Sequence, residues 1–156
     1  MIKLFGLWFS VVFFLGSFQV NATDLETLRL NYANFVSDKS LCKKTIAELL
    51  LQKEESTLHL GYLGYLQTIW ANHVLNPVSK LSTFKEGKQN IEQAIKNDPE
   101  NVELRFIRLS VQKNAPSFLG YRSDIEQDIN FIKQNRHLLE AVILNKTIDD
   151  ILVIKK

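Results

Sequence analysis

The chain has 156 residues, room for one domain with its own core but not for two, and 46% of them are apolar against 23% charged. That is an ordinary globular balance, which excludes the disordered and low-complexity classes. The 19 basic and 17 acidic residues leave a net charge of only +2, whereas a nucleic-acid surface needs a basic stripe and a far larger excess.

The aromatic residues are unevenly placed. Phe5, Trp8, Phe9, Phe13, Phe14 and Phe18 all precede residue 20, and no charge occurs from Leu4 to Thr23. Lys3 supplies a positive start, the strongly apolar run ends at Leu15, and Val20-Asn21-Ala22 offers the small residue that signal peptidase requires. Residues 1–22 are therefore predicted to be a signal peptide, with residues 23–156 forming a single exported domain, periplasmic or secreted. An uncleaved anchor is the competing reading, since about 20 uncharged residues can span a bilayer. Gly16, Ser17, Gln19 and Asn21 dilute the second half and favour cleavage, leaving no stable membrane span. Cys42 is the only cysteine, so the exported domain has no internal disulfide and depends on its core. Cys42 itself is expected to be a small buried apolar residue on a helix.

Beyond the leader, Gly61, Gly64, Gly87 and Gly120 with Pro77, Pro99 and Pro116 are the only breakers, and long uninterrupted stretches favour helices. Leu25, Leu28, Tyr32 and Phe35 recur at steps of three and four, as do Cys42, Ile46 and Leu49. Phe84, Gly87, Ile91, Ala94 and Ile95, then Ile125, Ile129 and Ile132, repeat the pattern. No comparable run alternates with a period of two, so the class is all-α. Thr23 with Glu26, Thr83 with Glu86 and Ser123 with Glu126 have capping-box spacing, and Asp98-Pro99-Glu100 reads as a cap followed by a first-turn proline. The predicted helices run over 24–36, 39–53, 57–75, 83–97, 99–113 and 123–135, with one or two short ones from 137 to the end. The helix over 57–75 is apolar on nearly all sides and is expected at the centre, with Gly61 and Gly64 letting a neighbour approach its backbone.

The segment GKQNIEQAIKNDPENVE, Gly87 to Glu103, resembles the second helix of a tetratricopeptide repeat and its passage into the next unit. Gly87 and Ala94 take the small-residue places, Ile91 the bulky one, and Pro99 opens the following helix. The resemblance covers under a fifth of the mature chain, and it implies antiparallel helical hairpins in a TPR-like right-handed stack. Arg105 and Arg108 stand where that family has apolar packing residues, so its peptide-binding residues do not carry over. A longer run, from Tyr62 through Asn76-Pro77, Lys80, Phe84 and Gly87 to Glu103–Leu109, Gln112 and Leu119-Gly120-Tyr121, resembles small exported helical proteins of Bacteroidetes. That resemblance implies a compartment and a fold, without an activity.

His59, His73 and His137 are far apart and form no metal-ligand spacing, and there is no nucleophile elbow, phosphate loop or Cys-His arrangement. No catalytic residue, metal or cofactor is expected. The most informative polar feature is the stripe Asn101, Arg105, Arg108 and Gln112, at steps of four, three and four on a helix otherwise largely apolar. Two arginines on such a helix must find partners. Asp124 and Asp128, one turn apart on the next helix, can supply them internally. The sharper reading is an open groove whose guanidinium forks receive a carboxylate or peptide terminus. Asn72, His73, Asn76 and Lys80 form a second polar group around the Asn76-Pro77 break, read either as turn chemistry or as the rim of that groove.

These readings combine into an exported, monomeric, non-catalytic binding or adaptor module for a protein or peptide. Its candidate partner-binding residues are Arg105, Arg108, Gln112, Tyr121, His73, Asn76 and Lys80. The alternative is a small-ligand carrier or enzyme with a pocket between helices near Arg105 and Arg108.

Overall fold

The apolar stripes and caps of the sequence fold as eight α-helices in the computed structural model, which describes residues 23–52 and 56–153. The expected leader, residues 1–22, lies outside the described residues. The helices are α1 Leu25–Leu30, α2 Asn34–Ser37, α3 Lys39–Leu51, α4 Thr57–Trp70, α5 Pro77–Asn97, α6 Val102–Asn114, α7 Ile125–Asn135 and α8 Asn145–Val153. Single 3-10 turns occupy Ala71–His73, Ser117–Leu119, Arg136–Leu138 and Val142–Leu144, and no strand occurs among the described residues. None of the described helices is long and apolar enough to cross a membrane.

Helix α4 is the centre, with every residue from Gly61 to Ile69 buried. Its two glycines set how closely the neighbours approach. A Cβ on Gly64 would stand 2.5 Å from the Gly87 carbonyl oxygen, and one on Gly87 would stand 2.5 Å from that of Gly64. At this crossing α4 and α5 therefore touch backbone to backbone. Gly61 faces Leu104 of α6 and Ala94 of α5 instead. Because Gly61 lies by Ala94 and Thr68 by Gly87, α4 and α5 run antiparallel. Helix α3 is antiparallel to α4 as well, with the Cys42 thiol on the Leu66 carbonyl and Lys39 over the Trp70 ring. Burial pushes the Cys42 thiol up to about 11, as expected of an inert packing cysteine.

Several boundaries differ from the sequence reading, for local reasons. The stripe over 24–36 breaks into α1 and α2, and Asp24 caps α1 through the Thr27 amide. Thr23 instead donates its hydroxyl to Glu48. Helix α5 begins at Pro77, not at residue 83, because Asn76 Oδ1 accepts from the Val78 and Ser79 amides and proline at N1 wastes no donor. Thr83 lies inside that helix, its hydroxyl bonded back to the Ser79 carbonyl. Asn101 rather than Asp98 caps α6. Ser123 donates to the Asp124 carboxylate, which leaves α7 without a side-chain cap. Gly120, at φ 61°, closes the turn after Leu119 in the left-handed region that suits glycine.

Candidate functional site

The arginine stripe of α6 faces α7. Arg108 donates from Nε to Asp128 Oδ2 at 2.7 Å and from Nη2 to Oδ1 at 2.6 Å, a two-pronged fork on a carboxylate with no exposure. Its remaining nitrogen, Nη1, donates to Glu92 Oε2 of α5 at 3.0 Å and lies 3.8 Å from Asp124. Burial works against the Arg108 charge, but the hydrogen bonds and charge of Asp128, then Glu92 and Asp124, outweigh it and hold the guanidinium above its ordinary pKa. One turn earlier, Arg105 reaches Asp128 at 3.4 Å and the Pro99 carbonyl at 3.0 Å, and its guanidinium lies over the Phe131 ring. One turn later, Gln112 donates to Asp124 at 3.0 Å, so α6 and α7 are antiparallel along one polar seam. Tyr121 closes it by donating to Glu92 at 2.6 Å. Burial first, and then that hydrogen bond to Glu92, push the Tyr121 phenol well up.

The pairing is thus internal. Arg108 is 5% exposed, Gln112 0% and Tyr121 1%, so three of the four residues expected to meet a partner across the stripe present no groove to one. Arg105 retains a partly exposed edge, with its nitrogens already engaged. Asn76 is occupied as the cap of α5. A second buried ion pair ties the other flank of α6 to α1. Glu103 accepts from Arg29 at 2.7 Å and 3.0 Å and from the Tyr62 hydroxyl at 2.6 Å.

The remaining two candidates lie elsewhere. His73 and Lys80 line a cleft of about 670 Å³ where α4 and α6 end and α5 begins. Tyr65, Thr68 and Ile69 form one wall, Leu81 and Phe84 a second, and Val111, Ala115, Pro116, Phe118 and Leu119 a third. None of Arg105, Arg108, Gln112 or Tyr121 lines it. Its rim is apolar and uncovered, with Phe118 84% and Val36 59% exposed. The Lys80 side chain makes no hydrogen bond or ion pair among the described residues. His73 packs on Trp70, ring centroids 5.6 Å apart. Asn72, His73 and Lys80, read from the sequence as turn chemistry or as the rim of the arginine groove, line this separate cleft; its apolar walls were missed, and the signal for them was Phe118 after Pro116, a large aromatic in a short inter-helix connection. Of the other histidines, His59 donates from Nε2 to the Thr23 carbonyl and takes the Ser56 hydroxyl on Nδ1, and His137 is exposed.

Comparison with protein-family models, with curated proteins and with solved structures finds no match to this chain.

Proposed function

We propose that the chain is an exported, non-catalytic helical module that binds a segment of a protein or peptide partner in the cleft at the ends of α4 and α6. The observation that carries this reading is the apolar cleft of about 670 Å³ bordered by uncovered apolar side chains. Contiguous exposed apolar surface of that kind marks interaction sites on soluble proteins. The antiparallel pairs α3/α4, α4/α5 and α6/α7 are read as TPR-like hairpins in a right-handed stack, with Gly87, Ile91 and Ala94 buried in the small and bulky places of that repeat. The Arg105–Arg108–Asp128 seam is the scaffold that fixes α7 on α6. A small apolar ligand is the second reading, because the cleft volume falls in the range of about 300–1,000 Å³ usual for such ligands.

A photocrosslinking residue at position 118, expressed in the native cell envelope, is expected to capture a partner that the same residue at Gln93, on the exposed face of α5, does not. Equal capture at both positions overturns the cleft assignment. Intact mass of protein from the exported fraction tests the compartment: a chain beginning at Thr23 is expected, and retention of residues 1–22 means an anchor instead.

A further inference from the structure

We infer that the cleft selects an acidic amphipathic segment, one whose apolar stripe seats between Leu81, Phe84 and Phe118 and whose flanking carboxylates meet a cationic rim. This rests on the cleft being the binding site. Among the described residues the lining contains no aspartate or glutamate; its charged member is Lys80, exposed and without a described partner, and His73 lines the same cleft. Two lysines of α3 stand behind His73, outside the lining. The Lys39 and Lys43 ammonium groups stand 5.5 Å and 6.0 Å from the centroid of Trp70, the ring against which His73 packs. Asp38, which caps α3 through the Leu41 amide, and Glu86, which accepts from Gln67, keep their charge but do not line the cleft. A basic segment would meet the Lys80 ammonium with no carboxylate in the lining to offset it, while an acidic one meets an unpaired donor there.

The apolar rim argues for a chain segment over a lone small molecule. Val78 stands one helical turn before Leu81 on α5 and is 78% exposed, and Phe118 rises opposite at 84%. A ligand confined to the cleft reaches Phe118 but not Val78, which does not line it. A helix laid along it covers them, in the manner of amphipathic helices docked in apolar grooves.

The test is calorimetric titration of the full chain with three synthetic helical peptides that share one leucine stripe and differ only in carrying glutamate, glutamine or lysine at the polar positions. The glutamate peptide is expected to bind about tenfold more tightly than the lysine peptide, with the gap closing as salt rises from about 0.05 M to about 0.5 M. Lys80→Glu should shrink that gap, and Phe118→Ala should weaken all three peptides alike, with unchanged circular dichroism in both variants. Equal affinity for the three peptides at low salt overturns the charge selection and leaves the cleft standing. Binding by none of them, or binding that Phe118→Ala does not weaken, overturns the cleft reading as well.

Discussion

The seam between α6 and α7 and the cleft at the ends of α4 and α6 treat their unusual residues in opposite ways. In the seam, two guanidiniums are drawn largely out of water and paired with carboxylates, of which Asp128 has no exposure at all while Glu92 and Asp124 stay partly exposed. In the cleft, apolar side chains that could have been buried stay in solvent, and Lys80 has no partner among the described residues. The residues that look most functional in the sequence are those whose chemistry is already consumed. A buried arginine must be satisfied somewhere, and neighbouring helices satisfy it more cheaply than an absent ligand. An uncovered phenylalanine on a rim carries no such internal obligation.

The largest effect should come from breaking the seam. Arg108→Leu leaves Asp128 buried and strips Glu92 of its guanidinium, so a loss of about 3–5 kcal/mol is expected in urea unfolding. A change below about 0.5 kcal/mol, the size usual for surface sites, would show that the seam does not carry α7 and would erase the contrast with the cleft.

The next effect belongs to the backbone crossing. Gly64→Ala and Gly87→Ala each force a methyl against a carbonyl oxygen that cannot rotate away, and overpacking of this kind costs about 1–3 kcal/mol. Gly61→Ala meets the end of the Leu104 side chain instead, which can swing, so it should be the mildest of the three. Equal melting temperatures for the Gly61 and Gly64 variants would mean that α4 and α5 can slide apart.

Helical class was legible because periodicity and the scarcity of glycine and proline are local properties of the chain. The pairing of the arginines was partly legible, since Asp124 and Asp128 share a helix face one turn apart. Glu92 was not: it joins Arg108 from a helix 16 residues earlier, and only the crossing of α5 over α4 and α6 brings it there. Caps were read from a spacing that also occurs inside helices. Thr83 and Glu86 have box spacing, yet they serve the Ser79 carbonyl and Gln67 in the middle of α5. The polar edge of the cleft was legible in His73 and Lys80, but its apolar walls were not, because they enclose the space left where helices of different lengths stop.

A smaller effect should appear in acid. Burial alone would raise the Asp124 carboxyl, but hydrogen bonds from Ser123 and Gln112 and the charge of Arg108 hold it below its ordinary value. A depressed folded pKa contributes stability that is present above the unfolded value of about 3.9 and lost as pH falls through the folded one. The Asp124 contribution should therefore be lost below about pH 4, so unfolding midpoints of Asp124→Asn should fall less steeply than those of the parent over that window, while Asp128, pushed up by burial, works in the opposite sense in both. Parallel profiles would remove Asp124 from the acid response of the seam.

The smallest effect on stability is expected at the cleft, and its smallness is what separates the two regions. Phe118 is 84% exposed in a single 3-10 turn and contributes little to the core. Phe118→Ala should therefore change unfolding by no more than about 0.5 kcal/mol. An aromatic that leaves the fold indifferent when removed is free to serve an interface, where such side chains dominate the energetics. The same variant should lose most of the peptide affinity while melting like the parent. If it instead destabilises the protein by as much as a core residue, Phe118 is packing, and the cleft is a seam of the fold like the one around Arg108.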